Sequence, residues 1–253
     1  MMAFAILQEF SGPALAVMIA GLMIASLARG YSGFGFSALL VASWSIVTDP
    51  ARAIVLAFML EVTASIFQAI SVWRDIPWKR VGLLIAGASL GTPIGVYLLA
   101  NMDERILRMG IAGFVVLAAG VLLAGWKLKA RANGAGTTSV GLVSGICNGT
   151  VGMGGLPVAI FLTADGDSPK RIRAAVIAYF FLLDIVGLIF LTQAGLVGRE
   201  SISLAVLSLP ILLIGMWLGG RHFLGATPEG FRRMSLGLLL ILGVIGMARA
   251  IWS

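Results

Sequence analysis

The chain has 253 residues, 59% of them hydrophobic and only 11% charged, with a mean hydropathy of +1.03. One soluble core cannot hide that much apolar side chain, and soluble domains carry about 25% charged residues, so a globular enzyme is excluded and the bilayer must be part of the solvent. The net charge of +7 does not indicate nucleic acid, because the Lys and Arg residues collect between apolar runs long enough to cross roughly 30 Å of hydrocarbon.

Met1 to Phe10 carries no Lys or Arg and no evident cleavage site, so no removable signal peptide is expected. Beyond it the sequence reads as an all-α polytopic membrane protein built from two repeats. Setting residue i on i+119 aligns Gly30, Gly33, Gly35, Pro50 and Arg52 with Gly149, Gly152, Gly154, Pro169 and Arg171. After a short insertion, Glu104, Arg108 and Met109 fall on Glu229, Arg233 and Met234. The first repeat is therefore 1–126, the polar stretch 127–138 is a linker, and the second repeat is 139–253.

Each repeat opens with two apolar arms around a glycine cluster, the hairpins covering about 13–48 and 139–164. In the second repeat the arms, 139–147 and 155–164, are each too short to cross, which predicts a re-entrant hairpin with its tip at Asn148 to Gly154. The first pair of arms is longer, and only the repeat argues for the same shape there. Three full spans follow each hairpin, at 53–73, 81–100 and 106–126, then at 172–194, 202–220 and 231–252.

Charge orients the chain. With both hairpins returning to their own side, one face receives twelve basic residues, Arg74, Lys79, Arg80, Lys127, Lys129, Arg131, Lys170, Arg171, Arg173, Arg221, Arg232 and Arg233. The other face receives five, Arg52, Arg105, Arg108, Arg199 and Arg249. That bias makes the first face cytoplasmic and puts both termini outside, whereas hairpins that crossed outright would divide the charges almost evenly. Three spans between the hairpins make the repeats oppositely oriented, the arrangement of inverted-repeat transporters.

The candidate substrate residues are at the tips: Arg29, Gly30, Ser32, Gly33 and Gly35 in the first repeat, Asn148, Gly149, Thr150, Gly152 and Gly154 in the second. The glycines permit close backbone approach and unusual turns, although tight packing of small residues alone would also use them. Each second arm begins at its tip, with Ser32 or Thr150 as a candidate N-cap, so the positive ends of two half-helices converge on the midplane. Arg29 sits at the first tip, where a charge costs about 2.5–3.5 kcal/mol and calls for a cavity or a partner. Three roles fit it: contact with an oxyanion through its guanidinium fork, a bond to the carbonyls of its own arm, or pairing with a carboxylate. Glu61 lies mid-span with Ser65 and Gln68 on the same helix face, and Asp184, aligned with Ser65, lies as deep in the second repeat. Glu61, Gln68 and Asp184 are thus candidates for proton coupling or for an ion pair with Arg29.

Elsewhere the bland readings hold. Cys147, the one cysteine, is a structural thiol in an apolar stretch, and His222 falls at a helix end near the membrane interface. Trp44, Trp73, Trp78, Trp126 and Trp252 lie near span ends, as interface anchors do. Asp49, Asp165 and Asp167 precede the Pro50 and Pro169 turns. Scattered Met residues with one His and one Cys form no spaced ligand set, so neither a metal nor another cofactor is expected.

At the glycine clusters the chain resembles the TauE/SafE family of sulfite exporters. The likeness rests on Gly149-Thr150-Val151-Gly152-Met153-Gly154-Gly155-Leu156-Pro157 and on Gly30-Tyr31-Ser32-Gly33-Phe34-Gly35-Phe36, and it extends over nearly the whole chain. Phe36 and Ala38 stand where Gly155 and Pro157 would be, so the tips need not bind equivalently. The resemblance implies a bacterial inner-membrane exporter of sulfite, organosulfonates or related anions, and the leading expectation for the mechanism is alternating access with the anion held between the hairpin tips. The residues themselves lead only to a small anion at the midplane. A passive anion channel or a carrier of another organic anion would use the same field, while no nucleophile and base suggest an intramembrane enzyme. The expected partners are the anion and the lipid bilayer, and a homo-oligomer is compatible with the sequence.

Overall fold

The computed structural model describes residues 9–123, 133–164 and 168–222, and all regular structure among them is helical. The helices are α1 (Gly12–Ser32), α2 (Phe36–Trp44), α3 (Pro50–Val72), α4 (Trp78–Asn101), α5 (Glu104–Leu123), α6 (Gly134–Val151), α7 (Gly155–Ala164), α8 (Pro169–Gln193) and α9 (Arg199–His222). Five of them are long and apolar enough to cross a membrane: 12–31 in α1, 50–70 in α3, α4 throughout, 170–193 in α8 and 199–221 in α9. The expected span 231–252, the last residues of the expected span 106–126 and the first half of the linker, 127–132, lie outside the described residues.

Most helices begin a few residues earlier than the apolar runs suggest, because polar first turns are captured by caps. Asp49 accepts from the backbone N–H groups of Ala51 and Arg52, Ser168 from that of Arg171, and a proline occupies the first turn of both α3 and α8. Asn133 likewise caps α6, so residues 134–138, read as linker, are helical. The second glycine cluster also differs from its reading. Helix α6 runs through Asn148, Gly149, Thr150 and Val151, and the break is confined to 152–154.

The two breaks are built alike. Gly33 and Gly152 close α1 and α6 in the left-handed conformation, at φ 79° and 70°, and each donates its N–H to the carbonyl four residues back, of Arg29 and of Asn148. Gly35, at φ 86°, then starts α2 with no side-chain cap. The candidate N-caps are corrected here: Ser32 is the last residue of α1, and Thr150 lies inside α6 with its hydroxyl donating to the Gly95 carbonyl at 3.3 Å. Neither opens a second arm.

Packing obeys the repeat. Helix α6 lies on α4, and α1 and α9, their counterparts in the i+119 alignment, lie on each other. The α4–α6 seam is glycine against backbone: a Cβ on Gly87, Gly91 or Gly95 would meet α6 backbone atoms at 1.9–2.4 Å, and one on Gly141 or Gly145 would meet α4 carbonyls at 2.0–2.4 Å. At the center, α3 packs on α8 with Phe58, early in one, against Gly187, late in the other, so the two run antiparallel. Ion pairs tie the ends. Arg52 at the start of α3 binds Glu200 at 2.8 Å and Glu9 at 3.4 Å, and Lys170 at the start of α8 binds Asp75 at 2.9 Å.

Among the tryptophans, Trp73 and Trp78 are exposed and meet edge to face at 5.0 Å, as interface anchors can. Trp44 does not. It is 2% exposed and its indole N–H donates to the Met18 carbonyl at 2.9 Å, locking α2 onto α1.

Candidate functional site

Arg29, in the last turn of α1, is completely buried. Its Nη1 meets Glu61 Oε1 of α3 at 2.7 Å and also donates to the Gly33 carbonyl, while Nη2 donates to Ser65 Oγ at 2.7 Å. The guanidinium carbon lies 5.3 Å from the centroid of the Phe180 ring. Glu61 is closed off in turn by the Ser37 hydroxyl, donating to Oε2 at 2.8 Å, and Gln68 donates its amide to the Arg29 carbonyl at 3.1 Å. Of the roles open to Arg29, the carboxylate pairing and the bond to its own arm are both realised through Nη1, and Ser65 occupies Nη2.

The aligned positions around the second break repeat this contact pattern with other chemistry. Asn148, aligned with Arg29, donates Nδ2–H to Asp184 Oδ1 at 3.0 Å, as Arg29 does to the aligned Ser65. Its Oδ1 accepts the Gly154 N–H at 3.1 Å. Ser144 donates to the Gly154 carbonyl and accepts from the Tyr179 hydroxyl at 2.7 Å. The second tip is thereby held by amides and hydroxyls, the first by a salt bridge.

Between the tips is a small cavity lined by Phe34, Gly35, Ser37, Ala38, Met153, Gly155 and Phe180. Its walls include the starts of both α2 and α7, whose first N–H groups have no partners within the helix. Behind the Phe180 and Ser37 wall stands the Arg29–Glu61 pair. Apolar walls, two helix N-termini and a cation one layer back suit a small anion better than a cation or a neutral sugar.

The expected site residues divide in two. Gly35 lines the cavity and Gly33, Gly152 and Gly154 form the breaks beside it, whereas Gly30 packs on the Met216 backbone of α9 and Gly149 on Thr92, Gly95 and Val96 of α4. Ser37, Phe180 and Arg173 were missed. Arg173, counted from sequence only as a loop charge, reaches from α8 to donate Nη2–H to the Gly30 carbonyl at 3.3 Å, with its stem against Gly33. The repeat offered a signal for one of them, because Phe180 aligns with Glu61.

The profile described as the sulfite exporter TauE/SafE matches residues 17–245. The chain belongs to the TauE/SafE family. It is therefore a membrane transporter, with its polar groups turned inward around the broken helices. Among similar proteins, the probable inner membrane transporter protein TsaS of Comamonas testosteroni is 24% identical over 207 residues, covering 78% of this chain and 83% of TsaS. The probable sulfite/organosulfonate exporter TauE of Cupriavidus necator is 27% identical over 185 residues, covering 70% of this chain and 71% of that protein. No solved structure matches this TauE/SafE chain.

Proposed function

We propose that the protein exports a small sulfur oxyanion, sulfite or an organosulfonate, across the cytoplasmic membrane by alternating access, with the anion held between the tips of two re-entrant hairpins. The observation that carries the reading is the cavity shared by the starts of α2 and α7, backed by buried Arg29. The anion meets the N–H groups, and the Arg29 end of the Arg29–Glu61 pair stands behind Phe180 rather than offering a free fork. The substrate class follows from the similarity to TauE of Cupriavidus necator.

The re-entrant, inverted topology is supported by the ion pairs. Glu9 precedes the first hairpin and Arg52 follows it, yet they lie 3.4 Å apart, which favours a hairpin that begins and ends on one side. Arg52–Glu200 and Lys170–Asp75 likewise join residues that the charge bias assigns to a common face.

The test is counterflow with purified protein in liposomes. Labelled sulfite should accumulate against its gradient when unlabelled sulfite leaves the vesicle, which requires a carrier. Equilibration without accumulation would identify a channel, and no flux of sulfite or sulfonates would end the proposal. Ser37→Ala, which strips Glu61 Oε2 of its donor at the cavity wall, should raise the apparent KM about tenfold, the effect of one lost hydrogen bond to a charged group.

A further inference from the structure

We propose that Asp184 is a proton-binding site linked to anion binding, so that one proton crosses with each anion. The inference rests on the cavity being the anion site. Asp184 is 2% exposed near the middle of α8. Oδ1 accepts from Asn148, but Oδ2 is buried and has no hydrogen-bond partner among the described residues. The acidic pair expected from the sequence thus separates. Glu61 holds Arg29 at 2.7 Å and accepts from Ser37, and Gln68 serves the Arg29 carbonyl, while among the described residues Asp184 has neither a cation in contact nor a second donor. A proton supplies what Oδ2 lacks.

The groups facing Asp184 define the electrostatics. Glu61 from α3 and Arg29 from α1 are the charged groups whose fields reach it, and they offset each other. Helix α6 presents the neutral Asn148, α8 itself the Tyr179 hydroxyl. Helix α7 has no charged residue, and the charges of α4, Lys79 and Arg80, are confined to its first turn. An ionised Asp184 would therefore be the uncompensated negative charge beside an anion site. It is also connected to that site. Phe180, one helical turn earlier on the same face, lines the cavity, and Asn148 joins Asp184 to the Gly154 N–H between cavity residues Met153 and Gly155. Anion entry repels a charge on Asp184 and draws a proton onto it, and the proton in turn admits the anion: one coupling free energy read from either side. The proton comes from water on the face where the anion enters and returns to water on the other, with no covalent bond made or broken in the anion.

Methanesulfonate is a suitable probe because its charge stays at one across the working pH range. Calorimetric titration of the purified protein in buffers of different ionisation enthalpy should show uptake of about one proton per anion bound. In liposomes, methanesulfonate counterflow and net flux should not respond to a clamped membrane potential. Asp184→Asn, which retains the bond from Asn148, should bind without proton uptake and give net flux that follows the potential as a full negative charge. Should Asp184→Asn fail to fold, the wild-type protein alone decides: counterflow with no proton uptake and fully potential-driven flux overturns this inference while leaving the carrier reading intact. Absence of both binding and counterflow overturns the two together.

Discussion

At the scale of single residues, the Arg29–Glu61 pair shows why an intramembrane charge is informative. Both groups are essentially unexposed, and each satisfies what the other leaves open. Removing one partner strands a buried charge, so Arg29→Ala should cost about 3–5 kcal/mol and sharply lower the apparent Tm in detergent. Arg29→Met with Glu61→Leu should recover most of that loss, because the uncompensated charge is gone, yet it should weaken anion binding by removing the field behind Phe180. Comparing the melting temperatures and sulfite affinities of the single and double variants checks both statements.

The same residues mark how far sequence alone reaches. Arg29, Glu61 and Asp184 were legible because ionisable groups are rare in apolar spans, and the contacts Arg29–Ser65 and Asn148–Asp184 were implicit in the i+119 alignment. Ser37 was not, and Phe180 only through its alignment with Glu61, since a Phe or a Ser in an apolar helix has the same signature whether it faces lipid, a neighbour or a cavity. Trp44 failed for the converse reason: its position near an apolar run's end suggested the interface, but α2 is short and returns alongside α1.

At the scale of elements, the glycines do two jobs that the sequence could not separate. Those at the breaks set backbone conformation, whereas those on α4 and α6 remove side chains so that two helices touch along their backbones. A Cβ on Gly91 would stand 2.2 Å from the Leu142 carbonyl, a contact with backbone that no rotamer change relieves, while one on Gly82 meets nothing within 4 Å. Gly91→Val should therefore abolish the monodisperse peak in size-exclusion chromatography, and Gly82→Ala should leave elution and Tm unchanged. At the tip the steric logic gives a functional variant. A Cβ on Gly155 would lie 1.9 Å from the Phe180 ring, which must turn to clear it, so Gly155→Ala should impair sulfite counterflow and Gly155→Ala with Phe180→Leu should restore part of it.

At the scale of the molecule, α1 packs on α9 and α6 on α4, and ion pairs of the same construction stand at opposite ends. Arg52 at the start of α3 reaches Glu200 at the start of α9, and Lys170 at the start of α8 reaches Asp75 just before α4. Each pair joins one repeat to the other, and because α3 and α8 run antiparallel the two lie at opposite ends of the central helices. A carrier that alternates must open one end while the other stays shut. Exposed pairs of this kind are worth about 0–1 kcal/mol, strong enough to bias an equilibrium and weak enough to break in every cycle. Arg52→Glu should accordingly favour opening at its own end and change the ratio of apparent KM values at the two faces up to about fivefold in oriented liposomes. Lys170→Glu should change the ratio in the opposite sense. Exchanging the charges, Arg52→Glu with Glu200→Arg, should return the ratio most of the way to the wild-type value, the remainder reflecting the lost contact with Glu9. Equal effects on both faces would mean that the pairs merely steady the fold, since only a latch on one end can distinguish inside from outside.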